Sequence, residues 1–296
     1  MKNQKTYLVT GGAGFIGTNL IKRLIGNGHQ VLCFDNYSTG SKDNEQPGCQ
    51  YFNINLADSE DYNLLLNRPD AIFHLAALAR IEPSFQFPKK TFEDNVNGTL
   101  NILDYAKEHN IKVVYAGSSS YHGGVYENPY TYTKWQGEEL CKLYNKIYAL
   151  DTIICRFYNV YGPYQITDGA YSAIVGIFEN QYLNKDPLTI TGDGEQRRDF
   201  THVDDIVDGL IKASEYSSSS SDIFEFGTGK NYSINELAKM FGEKYPIEYL
   251  LERQGEMRTT LCDITVAQEK INYNPKKDLE EYVKEWVKLY MMTVDG

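Results

Sequence analysis

Tyr130-x-x-x-Lys134 places a phenol and an ammonium at the i, i+4 spacing that stacks side chains on one face of a helix. Just upstream, "VVYAGSSS" (113–120) reads as an apolar strand whose end carries three serines, and a proline at 129 opens the helical stretch. An isolated tyrosine titrates at about 10, and a nearby cation favours the phenolate and lowers that value toward working pH. A phenolate held this way is a general base for a hydroxyl proton. The alternative for the pair alone is an exposed helix face, so its meaning depends on the elements around it.

Those elements begin with "VTGGAGFIGTNL" (9–20), where Gly11, Gly14 and Gly17 follow one apolar strand and open a helix-periodic segment. The first glycine suits a tight turn, the second lets backbone approach a pyrophosphate, and the third lets helix and strand pack closely, with the diphosphate on the helix N-terminus. Asp35 ends the next strand, where its carboxylate would accept bonds from an adenosine ribose and repel a 2′-phosphate. NAD is therefore expected rather than NADP. The positive nicotinamide ring would add to Lys134 in favouring the Tyr130 phenolate.

Apolar, β-rich runs recur at 6–10, 30–35, 49–54, 71–76, 112–117 and 152–157, with helical spacing between them, for example at Phe92, Val96, Thr99, Leu103 and Ala106. Strands apolar on both faces that alternate with helices predict an α/β fold with a doubly wound parallel (Rossmann) sheet. Past "NVYGP" (159–163) the rhythm shortens, which predicts a smaller C-terminal substrate-binding lobe. The expected division is 1–163 for the NAD-binding domain with 196–215 returning to it, and 164–195 with 216–296 for the lobe.

Composition narrows the classes. The 296 residues are 42% hydrophobic and 23% charged with a formal net charge of -11, an ordinary globular balance that argues against nucleic acid and anionic membranes as partners. "MKNQKTYLVTGG" carries too short an apolar run for a signal-peptide core or a membrane span, so a cytoplasmic location is expected. The five cysteines and five histidines show no paired or metal-ligand spacing, and no metal is expected.

The chain resembles the extended short-chain dehydrogenase/reductases that act on nucleotide sugars, most closely the UDP-galactose (UDP-glucose) 4-epimerase branch. The resemblance runs nearly the whole length, through "GGAGFIG", "FHLAA" (73–77), "NVNGT" (95–99), "RFYNVYGP" (156–163), "PLTITGDGEQRRDFTHVDD" (187–205), "FGTG" (226–229) and "RQGEMRTTLCD" (253–263). It implies Tyr130 as catalytic base, Lys134 as ribose ligand and electrostatic partner, and Ser118, with Ser119 as runner-up, as the hydroxyl facing the sugar 4-oxygen. For the cofactor it implies Gly11, Gly14, Phe15, Ile16, Gly17, Asp35, Asn36, Asn55, Leu56, Ala76 and Ala77, with Asn95 near the nicotinamide. For the substrate it implies Asn159, Arg198 and Arg253 on the UDP diphosphate, together with Glu256 and with Thr260, the last at a position that gates sugar size. It further implies a UDP-sugar substrate and a homodimer formed through helices around 91–109 and 131–149.

Dehydratases and decarboxylases of this resemblance carry an acid directly after the catalytic Ser/Thr, whereas Ser119 and Ser120 stand here. C4 inversion through a transient 4-keto sugar is therefore expected, with UDP-glucuronate 4-epimerisation, dehydration, 4-keto reduction and a non-catalytic NAD sensor as alternatives. His122 stands where the family has tyrosine, Asn55 where it has aspartate, and Arg80 and Glu82 differ from the residues common after "HLAA".

Overall fold

The computed structural model describes residues 4–58, 68–252 and 257–294. Six strands form at the six apolar runs: β1 (Thr6–Thr10), β2 (Gln30–Asp35), β3 (Cys49–Asn53), β4 (Ala71–His74), β5 (Lys112–Ser118) and β6 (Thr152–Phe157). Each pairs in parallel with its neighbours, and a seventh strand, Ile223–Phe226, adds in parallel to β6. The order is Ile223–Phe226, β6, β5, β4, β1, β2, β3. Chain direction across the sheet reverses between β1 and β4, the switch point where such sheets open a crevice for ligands.

Alternation along the strands divides the core. On β1, Tyr7 and Val9 join the layer containing Leu20 and Leu24 of the helix Phe15–Gly26 and Ile206 and Leu210 of the helix Val203–Glu215. Leu8 faces the opposite layer, with Ile102 and Leu103 of the helix Gly98–His109 and Tyr144 of the helix Pro129–Tyr148. Each fully buried leucine contributes roughly 1.5–3 kcal/mol through area removed from water. A third cluster, including Tyr161, Phe178, Tyr182, Phe200, Leu237 and Val283, is the core of the second lobe.

The lobe boundary differs from the expected one. Residues 223–226, grouped in sequence with 216–296, are the sheet's edge strand, and Ala267, Ile271 and Tyr273 pack in the sheet's own core. Phe200, expected in the returning segment, packs in the second lobe instead. The alternating "IFEF" of that edge strand is short, and only its pairing with β6 distinguishes it from a lobe strand. The helical run before β5 also departs from one period. Pro88–Phe92 and Gly98–His109 are joined by a π-helical turn, Glu93–Asn97, that carries Asn95 inward.

One ionic cluster ties three elements of this layer together. Arg156 on β6 donates through Nε to Glu138 Oε1 at 3.0 Å and through Nη2 to Oε2 at 2.6 Å, and through Nη1 to Glu225 on the edge strand at 3.0 Å. Burial disfavours the charged guanidinium, but the hydrogen bonds and charges of Glu138 and Glu225 outweigh it and raise its pKa. Among the described residues no helix is long and apolar enough to cross a membrane.

Removing one member of a buried, hydrogen-bonded pair costs about 3–5 kcal/mol because the other charge stays buried. Glu138→Ala is expected to lower unfolding stability by that order, read as an earlier urea midpoint. Glu138→Gln, which keeps an acceptor oxygen, is expected to lose less.

Candidate active site

The turn after β1 is built on glycine geometry. Gly11 has φ +71°, and a Cβ on it would lie 2.8 Å from Ala76 backbone atoms. A Cβ on Gly17 would lie 2.2 Å from Gly11 O, so the helix Phe15–Gly26 meets the turn backbone to backbone. Gly14 sits at the N-cap of that helix with no side-chain cap, leaving first-turn amides directed at the crevice. Across from them, Asp35 at the end of β2 accepts from Ala13 N at 2.9 Å and from Tyr37 N at 2.8 Å. Burial raises the Asp35 pKa, and these two amides pull it partly back.

Gly11, Gly14, Phe15, Ile16, Gly17, Asp35, Asn36, Asn55, Leu56, Ala76 and Ala77 all line one cleft of about 1030 Å³. The cradle fits a dinucleotide: a bare glycine turn, a helix N-terminus for phosphates and a carboxylate placed for a ribose. Asn36 Nδ2 donates to Asn55 Oδ1 at 3.5 Å, and Asn55 Nδ2 donates to Asp58 at 2.9 Å, so the amide at 55 holds the rim of this end.

Ser118, Ser119, Ser120, Tyr130 and Lys134 line the same cleft. Asn128 caps the helix Pro129–Tyr148, its Oδ1 accepting from Thr131 N at 2.8 Å, with Pro129 at the first helical position. That cap sets Tyr130 in the first turn and Lys134 one turn deeper, where the lysine is 5% exposed. Ser118 caps the short 3-10 turn Ser119–Gly123 and accepts from Ser120 N at 3.2 Å, and its Oγ pairs with Ser120 Oγ at 2.9 Å. Of the serines, Ser118 is the one whose hydroxyl acts on the Tyr130 phenol.

Burial raises the Tyr130 pKa above its ordinary value, while the Ser118 hydrogen bond and the charge of Arg80 pull it back. Lys134 is buried one turn further along the helix from Tyr130. Its Nζ lies 4.4 Å from the centroid of the Tyr115 ring, and burial lowers its pKa to about 8 against the opposing charge of Glu138. Buried His74, between Thr10 at 2.8 Å and Thr99 at 2.9 Å, is pushed down to about 3 by burial and by the Lys134 charge, so it is neutral.

Asn95, expected near the nicotinamide, lies inside the protein beside the cleft-lining Leu78. It is fully buried and bonded within the protein: Oδ1 accepts from Leu78 N at 2.8 Å, and Nδ2 donates to Leu78 O at 3.2 Å and to Thr133 Oγ1 at 3.0 Å. It fixes the strand-end loop of β4 to the helix that carries Tyr130.

On the other side of the cleft, Asn159, at φ +30°, Arg198 and Thr260 come together. The Thr260 hydroxyl accepts from Asn159 Nδ2 and from Asp199 N, each at 3.2 Å. Asp199 is wholly buried and accepts from the amides of Thr228, Gly229 and Cys262 and from the Thr228 hydroxyl. Burial raises its pKa, and these donors oppose the rise. Arg253 and Glu256 lie outside the described residues. The structure adds Arg80, Glu82 and Tyr171 to the cleft wall; for Asp199, the motif "RRDFTHVDD" was the available signal.

A family model described as "NAD dependent epimerase/dehydratase family" matches residues 7–227. The chain is 34% identical over 306 residues to a putative UDP-glucose 4-epimerase of Methanocaldococcus jannaschii, covering 95% of this chain and 98% of that one. It is 32% identical over 312 residues to a UDP-glucuronate 4-epimerase of Thermodesulfobacterium geofontis, with 95% and 94% covered. The solved UDP-N-acetylglucosamine 4-epimerase of Methanobrevibacter ruminantium, in complex with UDP-N-acetylmuramic acid, matches with a TM-score of 0.90 at 30% identity, over 98% of this chain and 99% of that one. Family match, sheet order and glycine-turn cleft agree, and the chain belongs to the NAD dependent epimerase/dehydratase family.

Proposed function

We propose that the protein is a 4-epimerase of UDP-hexoses, acting on UDP-glucose/UDP-galactose or on their N-acetyl forms. The carrying observation is that Ser118 and Tyr130 share one cleft with the glycine turn and Asp35, while hydroxyls rather than a carboxylate occupy 119 and 120. Tyr130 takes the proton of the sugar 4-hydroxyl, and Ser118 hydrogen-bonds the same oxygen. Bound NAD⁺ supplies the hydride acceptor for C4 and afterwards the hydride donor. Tyr130 then returns its proton to the 4-oxygen once the opposite face of the 4-keto sugar is presented. Proton and hydride are both given back, so no net reductant is consumed. The residues at 159 and 198 are assigned to the diphosphate, where a guanidinium suits a dianion, and Arg253 and Glu256 are assigned to the substrate with them.

A second reading, 4-epimerisation of UDP-glucuronate, draws support from the named relative and from Arg80 in the cleft wall. Glu82 lines the cleft too, so the assay must also register loss of water from the sugar. Exposed Leu100, Leu143 and Ile147 on the helices Gly98–His109 and Pro129–Tyr148 support the homodimer assignment.

Incubation with UDP-glucose, UDP-N-acetylglucosamine and UDP-glucuronate, with no cofactor added, is expected to give the C4 epimer of at least one of the first two, seen by NMR of the anomeric protons. Epimer from UDP-glucuronate alone would establish the second reading, and a dehydrated product or no product would overturn both. Tyr130→Phe is expected to lower turnover by about 10²–10⁴-fold while leaving NAD⁺ affinity unchanged by calorimetry. Asp35→Ala is expected to weaken NAD⁺ binding, read in the same titration, because the ribose loses its acceptor.

A further inference from the structure

Between β2 and β3 the chain forms a strap, residues 36–46, that returns to the glycine turn. Asn36, Ser38, Thr39 and Gly40 of the strap line the cleft, directly after Asp35, the carboxylate placed for the adenosine ribose. Both backbone groups of Ala13, inside the glycine turn, are engaged by the strap and its root. The Ala13 N–H donates to Asp35 Oδ2 at 2.9 Å, and the Ala13 carbonyl accepts from Ser41 N at 3.1 Å and from Asn44 Nδ2 at 2.9 Å. Gly40 meets Ala13 backbone to backbone, since a Cβ on it would lie 2.9 Å from the Ala13 carbonyl. Asn44 ends a 3-10 turn, Lys42–Asn44, capped by the Ser41 hydroxyl, which accepts from Asp43 N at 3.2 Å. It is steadied from the sheet side, where Gln46 Nε2 donates to Asn44 O at 2.9 Å and Gln46 N donates to the Tyr51 hydroxyl of β3 at 3.0 Å.

The Ala13 carbonyl belongs to the peptide unit that enters Gly14, the N-cap of the helix Phe15–Gly26, and the N–H of that unit donates to Gly11 O at 3.2 Å. Two donors on one side and one acceptor on the other therefore set the plane of the peptide from which the helix starts. We propose that Asn44 is a positioning residue for NAD, the clasp that fastens the strap to the glycine turn and so slows release of the cofactor's adenosine half. The role goes beyond the proposed epimerisation, because it concerns retention of the dinucleotide and not the sugar that is turned over. A wall already fixed in its bound shape spares the ordering that binding otherwise requires. Its loosening is read chiefly in the dissociation rate.

The test loads the protein with NADH, chases with excess NAD⁺ and follows the loss of bound-nucleotide fluorescence. Asn44→Ala is expected to raise the dissociation rate by about 2- to 10-fold, the effect of one net hydrogen bond, with the association rate little changed. The Ala13 carbonyl keeps Ser41 N as a donor in this variant, so no buried acceptor is left bare. Gly40→Ala, which lifts the strap from Ala13 by another route, is expected to speed release as well and reports on the role should the first variant fold poorly. Titration with ADP-ribose, which carries the adenosine and diphosphate without nicotinamide, is expected to show the same loss of affinity. Only loaded, folded molecules report in the chase, so a fall in overall stability alone does not move the rate. Dissociation rates in both variants that coincide with wild type would overturn the proposal. So would equal rises in dissociation and association, which would make the strap a gate and not a wall of the site. An unchanged affinity for ADP-ribose would overturn it too, by placing the effect at the nicotinamide end. No turnover is measured, so a failure to find C4 epimers would count against the proposed function alone.

Discussion

The bidentate pair between Arg156 and Glu138 holds the helix Pro129–Tyr148 against the sheet, and the candidate chemistry depends on where that helix sits. Glu138 lies one turn beyond Lys134 and two beyond Tyr130 on the helix Pro129–Tyr148, while Arg156 belongs to β6 and reaches on to Glu225 at the sheet edge. Two buried charges in this geometry are costly to desolvate, and their gain lies in directionality more than in net energy. The planar fork accepts one orientation of the carboxylate, and so fixes the rotation of the helix about its axis as well as its distance from the strands. The loop bearing the serines rests on the same group, with the Tyr121 ring 3.6 Å from the guanidinium carbon and His122 bonded to Glu225 at 3.0 Å. The histidine that replaces the family's tyrosine therefore finds its partner in the network that holds the helix carrying Tyr130.

Much of the fold and the cofactor end of the cleft was legible in sequence, because both are written in local pattern. Parallel strands buried on two faces are continuous apolar runs, and a glycine turn between strand and helix has fixed spacing. The residues from Gly11 to Ala77 that were expected to meet the cofactor do share one cleft. What escaped depends on tertiary neighbours. Ile223–Phe226 has four residues and an alternating pattern, and its membership of the sheet is decided by β6, about seventy positions earlier. Arg80 and Tyr130 are fifty residues apart, and burial, which raises the phenol pKa, has no local signature. Asn95 sits in a helix-periodic stretch, and the π turn Glu93–Asn97 that contains it goes with a bond to Leu78, seventeen residues earlier, that local periodicity does not show.

The two ends of the cleft are built on different physical plans. At the cofactor end, backbone supplies most of the surface, and close approach is secured by missing side chains at Gly11 and Gly17. At the far end, side chains do the work around Asp199, whose carboxylate gathers donors from the segments at 228–229 and 262. A buried carboxylate with four donors is stiff, since releasing any one donor leaves charge under-satisfied in a low-dielectric setting.

The Thr260 hydroxyl belongs to this stiff region and is shared between Asn159 and the Asp199 amide. An exchange at 260 that removes the hydroxyl therefore changes more than the width of the cleft there, because the Asn159 amide is left with the Asp199 carbonyl as its acceptor and the Asp199 amide loses this partner. Under the proposed function, selectivity at 260 and grip on the ligand at 159 would be genetically entangled. A lineage that changes one inherits a cost in the other, and compensating substitutions at 159 would be the trace it leaves.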